Sequence, residues 1–289
     1  MKDLTIIILT KNEEQNLEKC INSVRSVAKR IVVVDSYSTD NTVEIARSAG
    51  VDIVQHPFEN HAAQFNWALE NINLNTEWVM KIDADEELTI ELADEINKRL
   101  EKLPSNINGV ILRRRVYFMG RWLKHGGKYP ELLLRIFRVG HGMSEKKLMD
   151  EHLIVTDGDV VVFKHDFLDN NNKSLEWWIS KHNWYSNKEV LDRQIKTDND
   201  KSVGKTETSI QAKSKRYIKN QGYYSLPKFV RAHLYFIYRY YFRFGFLDGT
   251  EGKIYTFLQA YWYRFLVDAK MYECEKKGIS MKSQGDLKA

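Results

Sequence analysis

Short, continuous apolar runs alternate with stretches of helical periodicity through the first hundred residues. Residues 4–9 form an isoleucine-rich run, and residues 31–34, 51–54 and 78–82 form three more. Between them, residues 12–27 carry Leu17, Ile21 and Val24 at helical spacing, residues 42–49 follow Asp40 or Asn41 as an N-cap, and residues 62–71 supply a third helix. Runs that stay apolar throughout are buried on both faces. The pattern therefore predicts an α/β fold, a mostly parallel sheet with helices on both faces. Residues 110–112 and 160–163 predict further strands. In such sheets ligands bind at the carboxyl ends of the strands, which makes the polar residues after each run the candidates for chemistry.

Those residues are Thr10-Lys11-Asn12-Glu13-Glu14, Asp35-Ser36-Tyr37-Ser38-Thr39-Asp40 and Asp83-Ala84-Asp85-Glu86. Asp83 and Asp85, two apart directly after a buried strand, offer hard oxygen ligands to Mg²⁺ or Mn²⁺. A cation there would neutralise a departing diphosphate. The bland reading of the same residues is an acidic helix start, since carboxylates favour a first turn. Asp35 has a bland reading too, as a cap of the segment that follows it, and Ser38 or Asp40 as the N-cap of the second helix.

Composition narrows the class. The 289 residues are 43% hydrophobic and 29% charged, as in an ordinary folded protein. Two cysteines far apart, Cys20 and Cys274, exclude a disulfide framework and a Cys/His zinc site, and fit a reducing cytoplasm. The first apolar run is too short for a signal peptide or a membrane span. The net charge of +5 is small, but it is unevenly placed. Acids crowd the first hundred residues, while Arg113-Arg114-Arg115 and the stretch 213–243 are basic.

The succession IIILTKNEEQNLEKCINSV, IVVVDSYSTDNTVEIA, HAAQFNWAL and WVMKIDADEEL resembles the family 2 inverting glycosyltransferases, in the branch of bacterial lipopolysaccharide-core and related cell-surface-glycan transferases. The resemblance continues through Leu133–Arg138 and Met149–Leu153, covers roughly the first 165 residues, and is looser beyond. It implies a GT-A (Rossmann-like) catalytic domain over residues 1–170 and a helical, aromatic C-terminal region over 171–289. It implies a nucleotide-sugar donor, UDP-linked, and a lipid-linked or cell-surface glycan acceptor of lipopolysaccharide, O-antigen or capsule synthesis. By position, Thr10 and Glu13 line the base and ribose, Asp35 bonds the pyrimidine, and Asp40 belongs to the same loop. Asp83 lies nearer the ribose, and Asp85 is the direct ligand of the divalent cation, Mn²⁺ or Mg²⁺. Glu151 takes the place of the general base. The family usually has histidine before that glutamate where this chain has Asp150, so Asp150 is the second candidate.

Inversion by in-line displacement needs a carboxylate to accept the acceptor's proton, separate from the carboxylates that hold the cation. Glu151 and Asp150 are adjacent, so on a strand only one can face the substrate: Glu151, with Asp150 second. Arg113, Arg115 and Arg135 are candidates for diphosphate or acceptor contacts. His152 and His165 are weaker candidates, since a lone histidine is more often structural. Residues 120–130, with Trp122, Gly126, Gly127 and Tyr129, have the character of an acceptor loop or of an ordinary turn with buried aromatics.

Residues 174–195 read as a helix, residues 196–211 as a polar linker, and residues 226–247 and 254–272 as aromatic helices. At about 100° per residue, Lys228, Arg231, Arg239 and Arg243 share one third of the first of these two. Such a stripe beside apolar residues predicts peripheral contact with an anionic membrane, on the inner face of the plasma membrane; the bland reading is packing on the catalytic domain. No nucleic-acid-binding motif accompanies the basic tail, so nucleic acid is not an expected partner. A nucleotidyltransferase of similar fold, or a sugar-nucleotide-binding protein without transfer, is the alternative function. The former has a glycine-rich first loop, and Thr10-Lys11-Asn12-Glu13 has none.

Overall fold

The computed structural model describes residues 3–145, 151–198 and 222–279. The four apolar runs become β1 (Leu4–Thr10), β2 (Arg30–Asp35), β3 (Asp52–Gln55) and β4 (Trp78–Asp83). They are joined by α1 (Leu17–Val24), α2 (Thr42–Ser48) and α3 (His61–Asn71). Then follow β5 (Glu86–Leu88), α4 (Ile90–Arg99), β6 (Ile107–Phe118), β7 (Arg121–Trp122), β8 (Glu131–Arg138), β9 (Gly142–Ser144), β10 (Leu153–Val155) and β11 (Asp159–Asp169). Helix α3 starts where the Asn60 side chain accepts from the Ala63 amide, and α4 where Thr89 does the same for Leu92.

The main sheet runs β3-β2-β1-β4-β8-β6-β11-β5. Its first four strands are parallel, as are β6 and β11, while β8 and β5 pair antiparallel with their neighbours. Successive side chains of a strand leave on opposite faces. Accordingly Leu4, Ile6 and Ile8 join a core with Leu17, Ile21, Leu92 and Ile96. Ile7 and Leu9 instead join Phe65, Phe137 and Leu134. Helices thus cover both faces. Phe65 and Phe137 meet edge to face at 6.1 Å, and truncating such a buried ring costs about 3–5 kcal/mol.

Among the described residues, 3–120, 130–145 and 151–172 form one compact unit, and 121–129, 173–198 and 222–279 form a second. In the second, α5 (Leu175–Asp198) packs on α8 (Tyr263–Lys277) through Val190, Tyr263, Val267 and Cys274. Before α8 lie α6 (Val230–Ile237) with a π-helical turn at Tyr238–Phe242, then α7 (Gly249–Thr256) with another at Phe257–Trp262. The expected linker at 196–211 lies, from residue 199, outside the described residues.

Two of the four basic residues around α6 turn inward, while Lys228 pairs with Glu275 and Arg243 stays exposed. Arg231 is 3% exposed and binds Asp268, itself 1% exposed, through Nε at 2.9 and 3.0 Å. Arg239, 8% exposed, donates to the Gly126 carbonyl and to Tyr235 Oη. A buried guanidinium is tolerated only with such partners. The outward side is apolar instead: Val230, Leu234, Ile237 and Tyr241 recur at helical spacing and are exposed, with Phe242 and Phe244 beside them. Among the described residues no helix is long and apolar enough to cross a membrane.

Candidate nucleotide and cation site

Strand register gathers the three polar clusters. Thr10 lies across from Asp35, and Leu9 across from Asp83, so β2, β1 and β4 end side by side. Adjacent strands are about 4.8 Å apart, which puts Thr10, Asp35 and Asp83 on one edge.

The loops after β1 and β2 are laced together in both directions. The amides of Asn12, Glu13 and Glu14 donate to Ser38 Oγ (2.8 Å), Thr42 Oγ1 (2.7 Å) and Asp40 Oδ2 (3.1 Å). In return, Asn12 Oδ1 accepts the Thr39 amide at 2.8 Å, and Glu14 Oε2 the Asn41 amide at 3.1 Å. Asn12 adopts φ 54°, and α1 begins only at Leu17, after the start of the helical pattern. Tyr37 also takes a left-handed φ of 57° while its ring is 55% exposed. A bulky residue in that region marks backbone strain held in place by its surroundings.

Asp35 is wholly buried, and its carboxylate takes four donors: Thr10 Oγ1 (3.2 Å), Ser38 Oγ (2.5 Å), Ser38 N (3.0 Å) and Gln55 Nε2 (2.9 Å). Just ahead of α2, Asp40 accepts the Thr42 amide at 3.0 Å and its hydroxyl at 2.5 Å. Burial works against the Asp40 charge, but the hydrogen bonds from Thr42 and from the Glu14 amide outweigh it and hold its pKa below the ordinary value. Glu13 accepts from Asn16 Nδ2 at 2.8 Å.

At the end of β4, Asp83 lies between two cations, with Lys81 Nζ 3.5 Å from one carboxylate oxygen and Arg135 Nη2 3.6 Å from the other. Asp85 faces a neutral amide: its Oδ2 accepts from Asn171 Nδ2 at 2.7 Å, and its carbonyl accepts the Asn170 amide at 2.9 Å. Asn172 reaches the first loop, giving its amide and side chain to Asn16 Oδ1 at 3.1 and 3.0 Å. The triplet 170–172 therefore ties the Asp-Ala-Asp turn to the loop after β1. Periodicity alone does not reveal this, because β11 runs on to Asp169, well past its apolar run. Behind the turn, Glu86 is buried against Arg135 and accepts the Asp83 amide at 3.0 Å. Burial raises the Glu86 pKa, and Asp83 and Asp169 add to the effect. Cys20, whose Sγ lies 3.6 Å from the Asp83 carbonyl, is kept as a thiol by burial and by the acids around it.

The arginines are engaged within the first unit. Asp166 pairs with Arg115 at 2.6 Å and Arg113 at 3.4 Å, and Arg114 bridges Glu131 and Asp169. His165 sits against α4, with Nδ1 2.8 Å from Glu95 Oε2. Glu151 is half-buried just ahead of β10, and His152 next to it pairs its backbone with Glu145. Asp150 lies outside the described residues.

No group of three or more His, Cys, Asp or Glu side chains among the described residues is arranged to hold a metal. The donor set at Asp83 and Asp85 suits a hard cation that draws its other ligands from phosphate oxygens and water, the usual mode of Mg²⁺. Of the two, Asp83 is balanced by Lys81 and Arg135, while Asp85 has no cation paired with it among the described residues.

The chain is 44% identical over 96 residues to an uncharacterized glycosyltransferase of Rickettsia typhi, a match covering 33% of this chain and 32% of the relative. It thus spans about a third of that relative's length. It is 29% identical over 270 residues to the lipopolysaccharide core biosynthesis glycosyltransferase LpsC of Rhizobium meliloti, covering 89% of this chain and 90% of LpsC. Its fold is similar to that of the mannosyltransferase PcManGT from Pyrobaculum calidifontis, solved with GDP-Man and Mn2+. The TM-score is 0.51 at 16% identity, over 93% of this chain and 87% of that one. The family model described as Glycosyl transferase family 2 matches residues 5–171, the stretch that carries the whole strand-end edge. The sheet is of the GT-A type, and the chain belongs to glycosyl transferase family 2.

Proposed function

We propose that the protein is an inverting glycosyltransferase that moves a sugar from a UDP-linked donor to a hydroxyl of a lipid-linked or cell-surface glycan, in lipopolysaccharide, O-antigen or capsule synthesis. The observation that carries this reading is the pair of interlaced loops after β1 and β2 beside Asp83 and Asp85 at the end of β4. Family membership and the likeness to LpsC over most of both chains support it.

In this reading Thr10, Glu13, Asp35, Asp40 and Asp83 line the base and ribose. The fully bonded carboxylates of Asp35 and Asp40 fix the two loops against which the nucleoside lies, and the exposed Tyr37 ring offers a stacking face. Asp85 and Asp83 would hold Mn²⁺ or Mg²⁺, which when bound supplies charge neutralisation to the departing diphosphate. Asn171 orients Asp85 for that task. Glu151 takes the acceptor proton as the new glycosidic bond forms, with Asp150 as second candidate.

Contact with the inner face of the plasma membrane follows from the exposed face of α6 and not from its arginines. Exposed Val230, Leu234, Tyr241 and Phe242 suit the boundary between headgroups and acyl chains. The test of the transfer chemistry is release of UDP from UDP-sugars in the presence of Mn²⁺ and an acceptor glycan. Glu151→Gln should lower kcat by at least about a hundredfold and leave donor affinity unchanged. A dead Asp150→Asn beside an active Glu151→Gln would reverse the assignment, and full activity in both would remove the base from this segment.

A further inference from the structure

The loop 121–129 turns tightly at His125-Gly126-Gly127-Lys128, with both glycines left-handed at φ 63° and 70° and the Lys128 amide 3.2 Å from the His125 carbonyl. One carboxylate organises it. Asp248, 4% exposed, accepts the amides of Lys124 at 3.2 Å and His125 at 2.8 Å, and also Nδ1 of the His125 ring at 2.7 Å. An ionised carboxylate only accepts, so Nδ1 carries the proton. The ring is thereby locked with its opposite nitrogen, Nε2, turned away from Asp248. That nitrogen makes no hydrogen bond among the described residues, and the side chain is 36% exposed. A clamp on the loop needs only the two amides. The ring bond adds a fixed direction for a single free nitrogen.

The surroundings of the turn are cationic. Gly126 N donates to the Arg243 carbonyl at 2.8 Å, and the exposed Arg243 guanidinium lies on Gly127, where a Cβ would sit 3.7 Å from its Cζ. Lys124 Nζ rests 4.6 Å from the Trp122 ring centroid and Lys128 Nζ 4.9 Å from that of Tyr255. Asp248 is buried, and Glu251 is paired with Arg121.

We propose that His125 Nε2 and the Arg243 guanidinium, with Lys124 and Lys128 at the rim, form a binding site for an anionic substituent of the acceptor, a phosphate or a carboxylate. With both nitrogens protonated, the imidazole joins Asp248 on one edge and the incoming anion on the other. The partly exposed Trp122 ring beside Lys124 offers an apolar face to the sugar that bears the anion. Calling the ligand an acceptor rests on the glycosyl-transfer reading; the anion site itself does not.

The test is NMR of the full chain with ¹⁵N-labelled histidine, titrated with inorganic phosphate, with acetate and with neutral glucose, at ionic strength matched by chloride. Phosphate or acetate should shift the His125 Nε2 resonance saturably, and glucose should not. Which anion acts at lower concentration distinguishes phosphate from carboxylate. Arg243→Gln should weaken the response at least about tenfold, the loss expected for one charged hydrogen bond, while UDP with Mn²⁺ raises the melting temperature as in wild type. Absence of any saturable shift with either anion, or equal affinity in Arg243→Gln, would overturn the proposal. A saturable His125 response in a protein that UDP and Mn²⁺ fail to stabilise would leave the anion site standing and remove the transfer reading.

Discussion

Asn171 donates from Nδ2 to Asp85 Oδ2 at 2.7 Å, across 86 residues of sequence. The amide fixes one oxygen of the carboxylate and leaves the other for a ligand. Groups that orient a metal ligand in this way are worth about 10–100-fold in affinity or activity when removed. Asn171→Ala should therefore raise the Mn²⁺ concentration needed for nucleotide binding by that factor, with the melting temperature of the nucleotide-free protein little changed. Titration calorimetry of UDP at several Mn²⁺ concentrations checks it; equal Mn²⁺ dependence would make the contact structural only.

The apolar face of α6 predicts vesicle binding that survives salt, since its strength comes from buried area and not from surface charge. Leu234 is 46% and Phe242 70% exposed. Replacing both by Gln removes on the order of 1 kcal/mol or more each of burial in the interface, so partitioning should fall at least about tenfold. Co-sedimentation at low and high salt measures this. Binding that vanishes at high salt, or that the double variant retains, would contradict it.

His182 stacks on Trp178 with ring centroids 3.4 Å apart. Burial lowers its pKa from 6.5 to about 4, against the pull of the Trp178 carbonyl. The unfolded chain takes up this proton near pH 6.5 and the folded chain only near pH 4. The neutral ring therefore contributes stability that is full above pH 6.5 and is lost as pH falls from there towards 4, about 2 kcal/mol by pH 5. Urea denaturation at pH 7.5 and 5 should show His182→Gln losing less stability than wild type by that amount. Equal losses would show that the ring is not held neutral.

What the chain reveals before folding is set by how local the cause is. Ile6-Ile7-Ile8 and Val32-Val33-Val34 specify strands buried on both sides, and the polar residue that ends each specifies the edge, so Thr10, Asp35 and Asp83 are legible from their own neighbours. Residues 12–16 look helical, yet they form a loop in which the amides of Asn12, Glu13 and Glu14 are claimed by Ser38, Thr42 and Asp40 across the loop after β2 and the start of α2. Helical spacing groups Arg231 of α6 with Arg239 of the π-helical turn after it, and both are buried. It cannot say which side is buried, because their partners Asp268 and Gly126 lie 37 and 113 residues away. The same distance hides the Asp248–His125 pair and the approach of Asn171 to Asp85.

The most direct measurement is the melting temperature of wild type and Asp85→Asn with UDP, with and without Mn²⁺. A ligand that binds only the folded form stabilises it by mass action, about 2.7 kcal/mol at a hundred times its Kd. Wild type should gain several degrees with UDP and Mn²⁺ together and much less with either alone, and Asp85→Asn should lose the joint effect while melting normally by itself. Stabilisation by UDP that is indifferent to Mn²⁺ and to Asp85, or no stabilisation by any nucleoside diphosphate, would contradict a cation-assisted nucleotide-sugar site at the end of β4.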